Sequence, residues 1–150
     1  MSKYEDTRLI LKIYELRRED TMRKARDWYF LEFNPESISD IAAAMFSERS
    51  GHLRMVWTYW DMAAALVNHG AIGLDFFKDT NTEYIGVFAK VEPFLTEARA
   101  MFGPQLLVSL ERLIDTLPDG RTATDIARER MKGMRAHITA ARAKATTSNN

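Results

Sequence analysis

The chain has 150 residues, 46% of them apolar and 28% charged, which is the make-up of one ordinary folded domain and excludes global disorder. It contains no cysteine, so a disulfide framework, a thiolate metal site and a cysteine nucleophile are all excluded. Formal net charge is zero but unevenly placed: residues 1–120 carry 14 Lys/Arg against 19 Asp/Glu, a net of −5, and residues 121–150 carry 7 against 2, a net of +5.

The opening Met1-Ser2-Lys3-Tyr4-Glu5-Asp6, followed by Arg8 and Lys12, has no apolar signal-peptide core, so a cytoplasmic location is expected. Apolar spacing is helical along nearly the whole chain, and no segment alternates as a strand does. A first helix is predicted over about residues 6–16, with Leu9, Ile13 and Leu16 on one face. Asp20 suits the cap of a second helix reaching about Phe33, which turns Met22, Ala25, Tyr29 and Phe33 inward. Asn34-Pro35-Glu36 reads as a restart, with asparagine at the N-cap, proline in the first helical position and glutamate at the positive dipole end. The third helix then carries Ile38, Ile41, Ala42, Met45 and Phe46, and Ser50-Gly51 is expected to end it.

A fourth helix is predicted over about residues 52–69, stopped by Gly70. It is apolar nearly all round, with only Arg54, Thr58, Asp61 and Asn68 forming a narrow polar stripe, so it belongs at the centre of the bundle or in a subunit interface. A short turn of helix covers residues 74–77. A long helix over residues 82–102 has the seam Tyr84, Phe88, Val91, Leu95, Ala98 and Phe102, and Pro93 inside it predicts a bend that frees the Ala89 carbonyl. Gly103-Pro104 precedes a helix bearing Leu106, Leu110, Leu113 and Leu117, and Pro118-Asp119-Gly120 is a turn. The last helix spans about residues 122–144, with Ala127, Met131, Met134, Ile138 and Ala141 lining its inner face. The organisation is one helical domain over residues 1–145 with a polar tail over residues 146–150.

None of the three histidines is preceded at the third position by glutamate, because Arg49, Leu66 and Met134 stand there before His52, His69 and His137. The di-iron bundle pattern and the His-Glu-x-x-His zinc motif are therefore both missing, and no metal or cofactor is expected. Gly70-Ala71-Ile72-Gly73 is neither a phosphate loop nor a dinucleotide fingerprint, and no nucleophile elbow exists, so no catalytic residue is assigned. Asp61 lies between Trp60 and Met62 on the most apolar helix, where a carboxylate is costly unless another helix supplies a partner. Trp57, Tyr59 and Trp60 are either packed core or the wall of a pocket beside Asp61, and His69 falls at a helix C-terminus, where it can cap. These five are the candidate binding residues. The basic last helix lacks a second helix in helix-turn-helix spacing, and the chain as a whole is neutral, which argues against nucleic acid.

The stretch from Arg54 through Trp57, Trp60-Asp61, His69-Gly70 and Gly73 to Phe77 resembles an uncharacterised all-helical bacterial family, a domain of unknown function. The run Tyr14-Glu15-Leu16-Arg17-Arg18-Glu19-Asp20, leading to Arg26-Asp27-Trp28, is similar to that family's opening. Members often carry a membrane-spanning helix ahead of this region, and none is readable here, where the longest charge-free stretch runs only over residues 62–74. The resemblance implies a helical fold and no particular activity.

The expectation is an all-α, single-domain bundle of six to eight helices around a central apolar helix. Its leading function is that of a non-enzymatic interaction domain that self-associates, as a dimer by default, with room for a further protein partner. The alternatives are a small-molecule or enzymatic pocket near Trp57, Trp60 and Asp61, and polyanion binding through the basic last helix.

Overall fold

Ser2 opens the first helix, α1 (Lys3–Arg17), with a capping box: its hydroxyl accepts the Glu5 amide while the Glu5 carboxylate accepts the Ser2 amide. The computed structural model describes residues 2–148. α2 (Asp20–Leu31) is capped by Glu19, whose carboxylate accepts the Met22 amide at 3.1 Å. Amide hydrogen bonds from Thr21 and Met22 hold that carboxyl below its ordinary range. α3 (Ile38–Met45) begins at Ser37, whose hydroxyl accepts the Asp40 amide.

α4 (Ser50–Asn68) is the centre of the bundle. Leu53, Val56, Trp57, Trp60, Ala63, Ala64 and Val67 are all buried, and α2 and α8 (Val108–Thr116) provide its most extensive contacts. It ends as its sequence requires: Gly70 adopts φ +79°, and the Ala71 amide returns to the Leu66 carbonyl at 2.8 Å. α5 (Leu74–Thr80) follows, closed over the core by Phe77.

α6 (Glu83–Val91), a 3-10 turn (Glu92–Phe94) and α7 (Leu95–Phe102) form one rod bent at Pro93. Counting it once, the described residues form eight helical rods, all-α and without strands. The ring of Pro93 takes away the amide that the Ala89 carbonyl would have bonded. Arg128 replaces it, its Nε donating to that carbonyl at 2.8 Å. α9 (Gly120–Ser148) starts so close to α8 that a Cβ on Gly120 would lie 1.8 Å from the Ile114 carbonyl oxygen. Among the described residues no helix is long and apolar enough to cross a membrane.

Several boundaries and faces differ from expectation. Ser37, not Asn34, caps α3, and Asn34-Pro35-Glu36 remain outside helix. Ser50-Gly51 open α4 rather than end α3, because the chain breaks at residues 46–49. Ile10 takes the inward place expected of Leu16, which is exposed. Phe46, expected inward, is 79% exposed. Leu106 and Leu117 flank α8 rather than belong to it, and Leu107 is the buried residue there. The largest departure is in α9. Ala127 and Met131 are partly buried, but Met134, Ile138 and Ala141 are exposed. Thr146, Thr147 and Ser148 of the expected tail are helical, and Asn149 and Asn150 lie outside the described residues.

Candidate functional site

The five residues singled out from the sequence split into core, cap and surface. Trp60 is wholly buried, its ring edge-on to Tyr59 at 4.9 Å and under the Arg17 guanidinium at 5.8 Å. Trp57 is buried too, and its indole N–H donates to the Tyr29 hydroxyl at 3.2 Å, which donates to the Val87 carbonyl at 2.7 Å. That relay ties α4, α2 and α6 together. Burial pushes the Tyr29 phenol well up, so it stays a neutral donor. Tyr59 donates to the Ile13 carbonyl, and burial raises its hydroxyl to about 12. His69 is exposed and caps α4 through its backbone amide.

Asp61 finds its partner on another helix, and that partner is a backbone amide. Its Oδ1 accepts the Leu110 amide of α8 at 2.8 Å, while Asn68 donates to the Ser109 carbonyl at 2.9 Å. α8 needs this help. Leu107, its own N-cap residue, sits at φ +54° and provides no side-chain acceptor, so a side chain from α4 caps it in trans. The region between the tryptophans is therefore filled. Outside it lies an open cleft of about 370 Å³, lined by Met45, Arg54, Trp57, Thr58, Asp61 and Phe102 among others. Trp60 does not reach it.

A second cleft, of about 340 Å³, lies between the α2–α3 loop, the Pro93 bend and α9, and gathers Lys90, Arg128, Lys132 and Arg135. Most of these cations are already engaged. Lys90 donates to the Tyr29 carbonyl at 2.7 Å and the Phe33 carbonyl at 2.6 Å, closing the C-terminus of α2. Burial, with Arg135 nearby, pushes its amine down to about 7. Arg128 bonds Glu92 and Asp125 besides the Ala89 carbonyl. Arg121 reaches Glu92, Glu111 and Asp115. Burial alone would raise the Glu111 carboxyl, but hydrogen bonds from Arg121 and Arg99 outweigh it and hold it below the usual range. These contacts fasten the first half of α9 to α6 and α8.

Beyond Met131 the fastening stops. Residues 132–148 continue as helix for about 25 Å at the standard rise. Met134 is 64% and Ile138 38% exposed. Ala127, Met131, Met134, Ile138, Ala141 and Ala145 recur at alternating steps of four and three, which makes one apolar seam. Arg128, Arg130, Arg135, His137, Arg142 and Lys144 flank that seam on both sides. Among the described residues, Arg130, Arg135, Arg142 and Lys144 have no ion pair; Lys132 pairs only with its helical neighbour Glu129. Sequence spacing marked this face correctly but assigned it to the core, because spacing shows which side of a helix is apolar and not whether anything covers it.

A family model described as a domain of unknown function (DUF4760) matches residues 4–117. Nothing among curated proteins and nothing among solved structures matches. The matched segment contains α1 to α8, including the Arg17–Trp60 contact that joins the two stretches of resemblance, and stops just before α9.

Proposed function

Because the chain belongs to the family of the domain of unknown function DUF4760, with α1 to α8 as the matched body, we propose that it is a non-enzymatic helical interaction domain that self-associates. The observation that carries this reading is the second half of α9, a helix with an exposed apolar seam and nothing packed over it. In proteins most helical stability comes from packing of an apolar face rather than from intrinsic propensity. A partner for that face gives it what the body does not. The body meanwhile exposes Phe46, Leu31, Met101 and Met62, apolar side chains with no cover of their own.

Association is expected through whichever apolar faces of α4 and of the α6–α7 rod stay uncovered, and on those helices Met62 and Met101 are the exposed large apolar side chains. α4 is wrapped on most sides, and the bent α6–α7 rod buries Tyr84, Val87, Phe88, Val91 and Leu95. Further exposed apolar side chains lie on α9, at the ends of α2 and α3, and along α1. A dimer is the default stoichiometry. A cytoplasmic, bacterial setting belongs to the same proposal; the lack of cysteine supports the first and the family resemblance the second.

Sedimentation equilibrium of the full chain over a tenfold rise in micromolar concentration tests the reading. A species of twice the 17.3 kDa chain mass, growing with concentration, is the expected result. A single 17.3 kDa species throughout overturns it and returns weight to the cleft beside Trp57 and Asp61.

A further inference from the structure

The free half of α9 presents an apolar seam with basic residues at both flanking positions, which restricts what can pair with it. Helices that pair through such a seam bring flanking residues of the two strands together. Against a second α9, parallel or antiparallel, Arg135, His137, Arg142 and Lys144 would face one another, and like charges in contact oppose the pairing. The same chemistry favours an apolar surface rimmed by carboxylates.

The body carries such a surface where α3 meets α7. Phe46, 79% exposed, closes α3 and meets the Phe102 ring at 6.2 Å, and Met101 beside it is 50% exposed. The exposed positions on these two helices also include Ala43 and Ala100, which leave the patch low enough for a helix to lie on it. Glu48 just past α3 and Glu97 on α7 are exposed and, among the described residues, in no ion pair; Asp40 on α3 is exposed too, one of its oxygens accepting the Glu36 amide. Arg49 and Arg54 lie towards the α4 side of the patch, so the acidic rim is the side formed by α3 and α7. α9 continues unbroken to Ser148, and the exposure of Phe46 and Met101 shows that its own arm does not cover this patch.

From this we infer that the free half of α9 is an exchanged arm, docking its Met134–Ile138 seam on the Phe46–Met101 patch of a second copy of this chain. The inference rests on the self-associating reading and names its surfaces. Exchange is reciprocal under a two-fold axis, so the contact is made twice. Each copy of it then needs to supply only about half of the roughly 1,200–2,000 Å² that a stable interface buries. Charge complementarity sets the docking direction and discourages the arm-on-arm alternative.

Two charge-reversed chains test this. One carries Arg142→Glu and Lys144→Glu, giving an arm that is acidic only over its C-terminal end, together with an acidic patch. The other carries Glu48→Lys and Glu97→Lys, giving a basic arm with a basic patch. All four positions are exposed, so each chain is expected to keep the wild-type helical circular dichroism and, at dilutions where both are monomers, the wild-type melting temperature. Each alone is expected to self-associate at least about tenfold more weakly than wild type. Mixed in equal amounts they are expected to recover wild-type association as a heterodimer, because both arm–patch contacts become complementary. If wild type dimerises and neither reversal weakens it, or if both weaken it and mixing restores nothing, the arm–patch pairing is wrong while self-association stands. If wild type is a monomer at every concentration, the parent reading fails instead.

Discussion

The two halves of α9 have the same seam and the same basic flanks, and they end in opposite situations. Over residues 120–131 two of the three arginines find carboxylates and a freed carbonyl: Arg121 on Glu92, Glu111 and Asp115, Arg128 on Glu92 and Ala89. Met131 comes down over Gly86, where a Cβ would lie 3.7 Å from its sulfur. Over residues 132–148 only Lys132 and Arg135 face the body, across an open cleft, and Met134 and Ile138 remain exposed. A helix pattern thus shows where an apolar face is, and the presence of a facing helix decides whether that face becomes core or interface.

The account can be broken by changes that treat the two regions alike. Trp60 in the wrapped body is the extreme case of burial, and Trp60→Ala is expected to cost about 3–5 kcal/mol in chemical denaturation. Next is Gly120→Ala at the root of α9, where the new methyl meets the Ile114 backbone and must displace it. The expected cost is about 1–3 kcal/mol, read from the denaturation midpoint. A loss below the error of the measurement would mean that the root of α9 is not held as described.

Asp61→Ala takes the trans cap from α8 and is expected to cost about 0.5–2 kcal/mol, the usual effect of losing an N-cap acceptor. Asp61→Asn, which keeps an acceptor oxygen, should recover most of it. An unchanged midpoint for Asp61→Ala would show that the carboxylate does not support α8.

Lys90 sharpens the comparison through pH. Its folded amine titrates near 7 while the unfolded chain holds that proton to higher pH, so between these limits the unfolded state binds more protons. Stability is therefore expected to rise as pH goes from about 7 towards the ordinary lysine value. Above about 10 the trend should reverse, because burial raises Tyr29 and Tyr59 and the unfolded tyrosines lose their protons first. Lys90→Met should abolish the rise and leave the later fall. A rise that persists in Lys90→Met assigns it to another group. The smallest effect belongs to the free arm: Ile138→Ser is expected to shift monomer stability by no more than about 0.5 kcal/mol.

Much of the fold was legible. The all-α class, the central helix, the Gly70 stop, the bend at Pro93 and the freed Ala89 carbonyl all follow from local rules that the structure obeys. What took that carbonyl did not, because Arg128 lies 39 residues away and the pairing depends on how α9 crosses the bend. The need for an Asp61 partner was readable from its apolar neighbours. That the partner is the Leu110 amide was not, since it depends on Leu107 adopting a left-handed conformation that no rule predicts for leucine. Asn34 lost the cap of α3 to Ser37 because both can accept the amide and only tertiary context chooses. Phe46, Met134 and Ile138 were read as core and are exposed, because spacing shows where an apolar face is and not what covers it.

Amide hydrogen exchange along α9 at two protein concentrations tests the central claim most directly. The account predicts that residues 120–131 are protected at both concentrations. It also predicts that residues 132–148 exchange quickly when dilute and become protected when concentrated, as the arm finds its cover. Rapid exchange of residues 132–148 at every concentration would contradict it, leaving the arm a solvated helix end with no partner in a second copy.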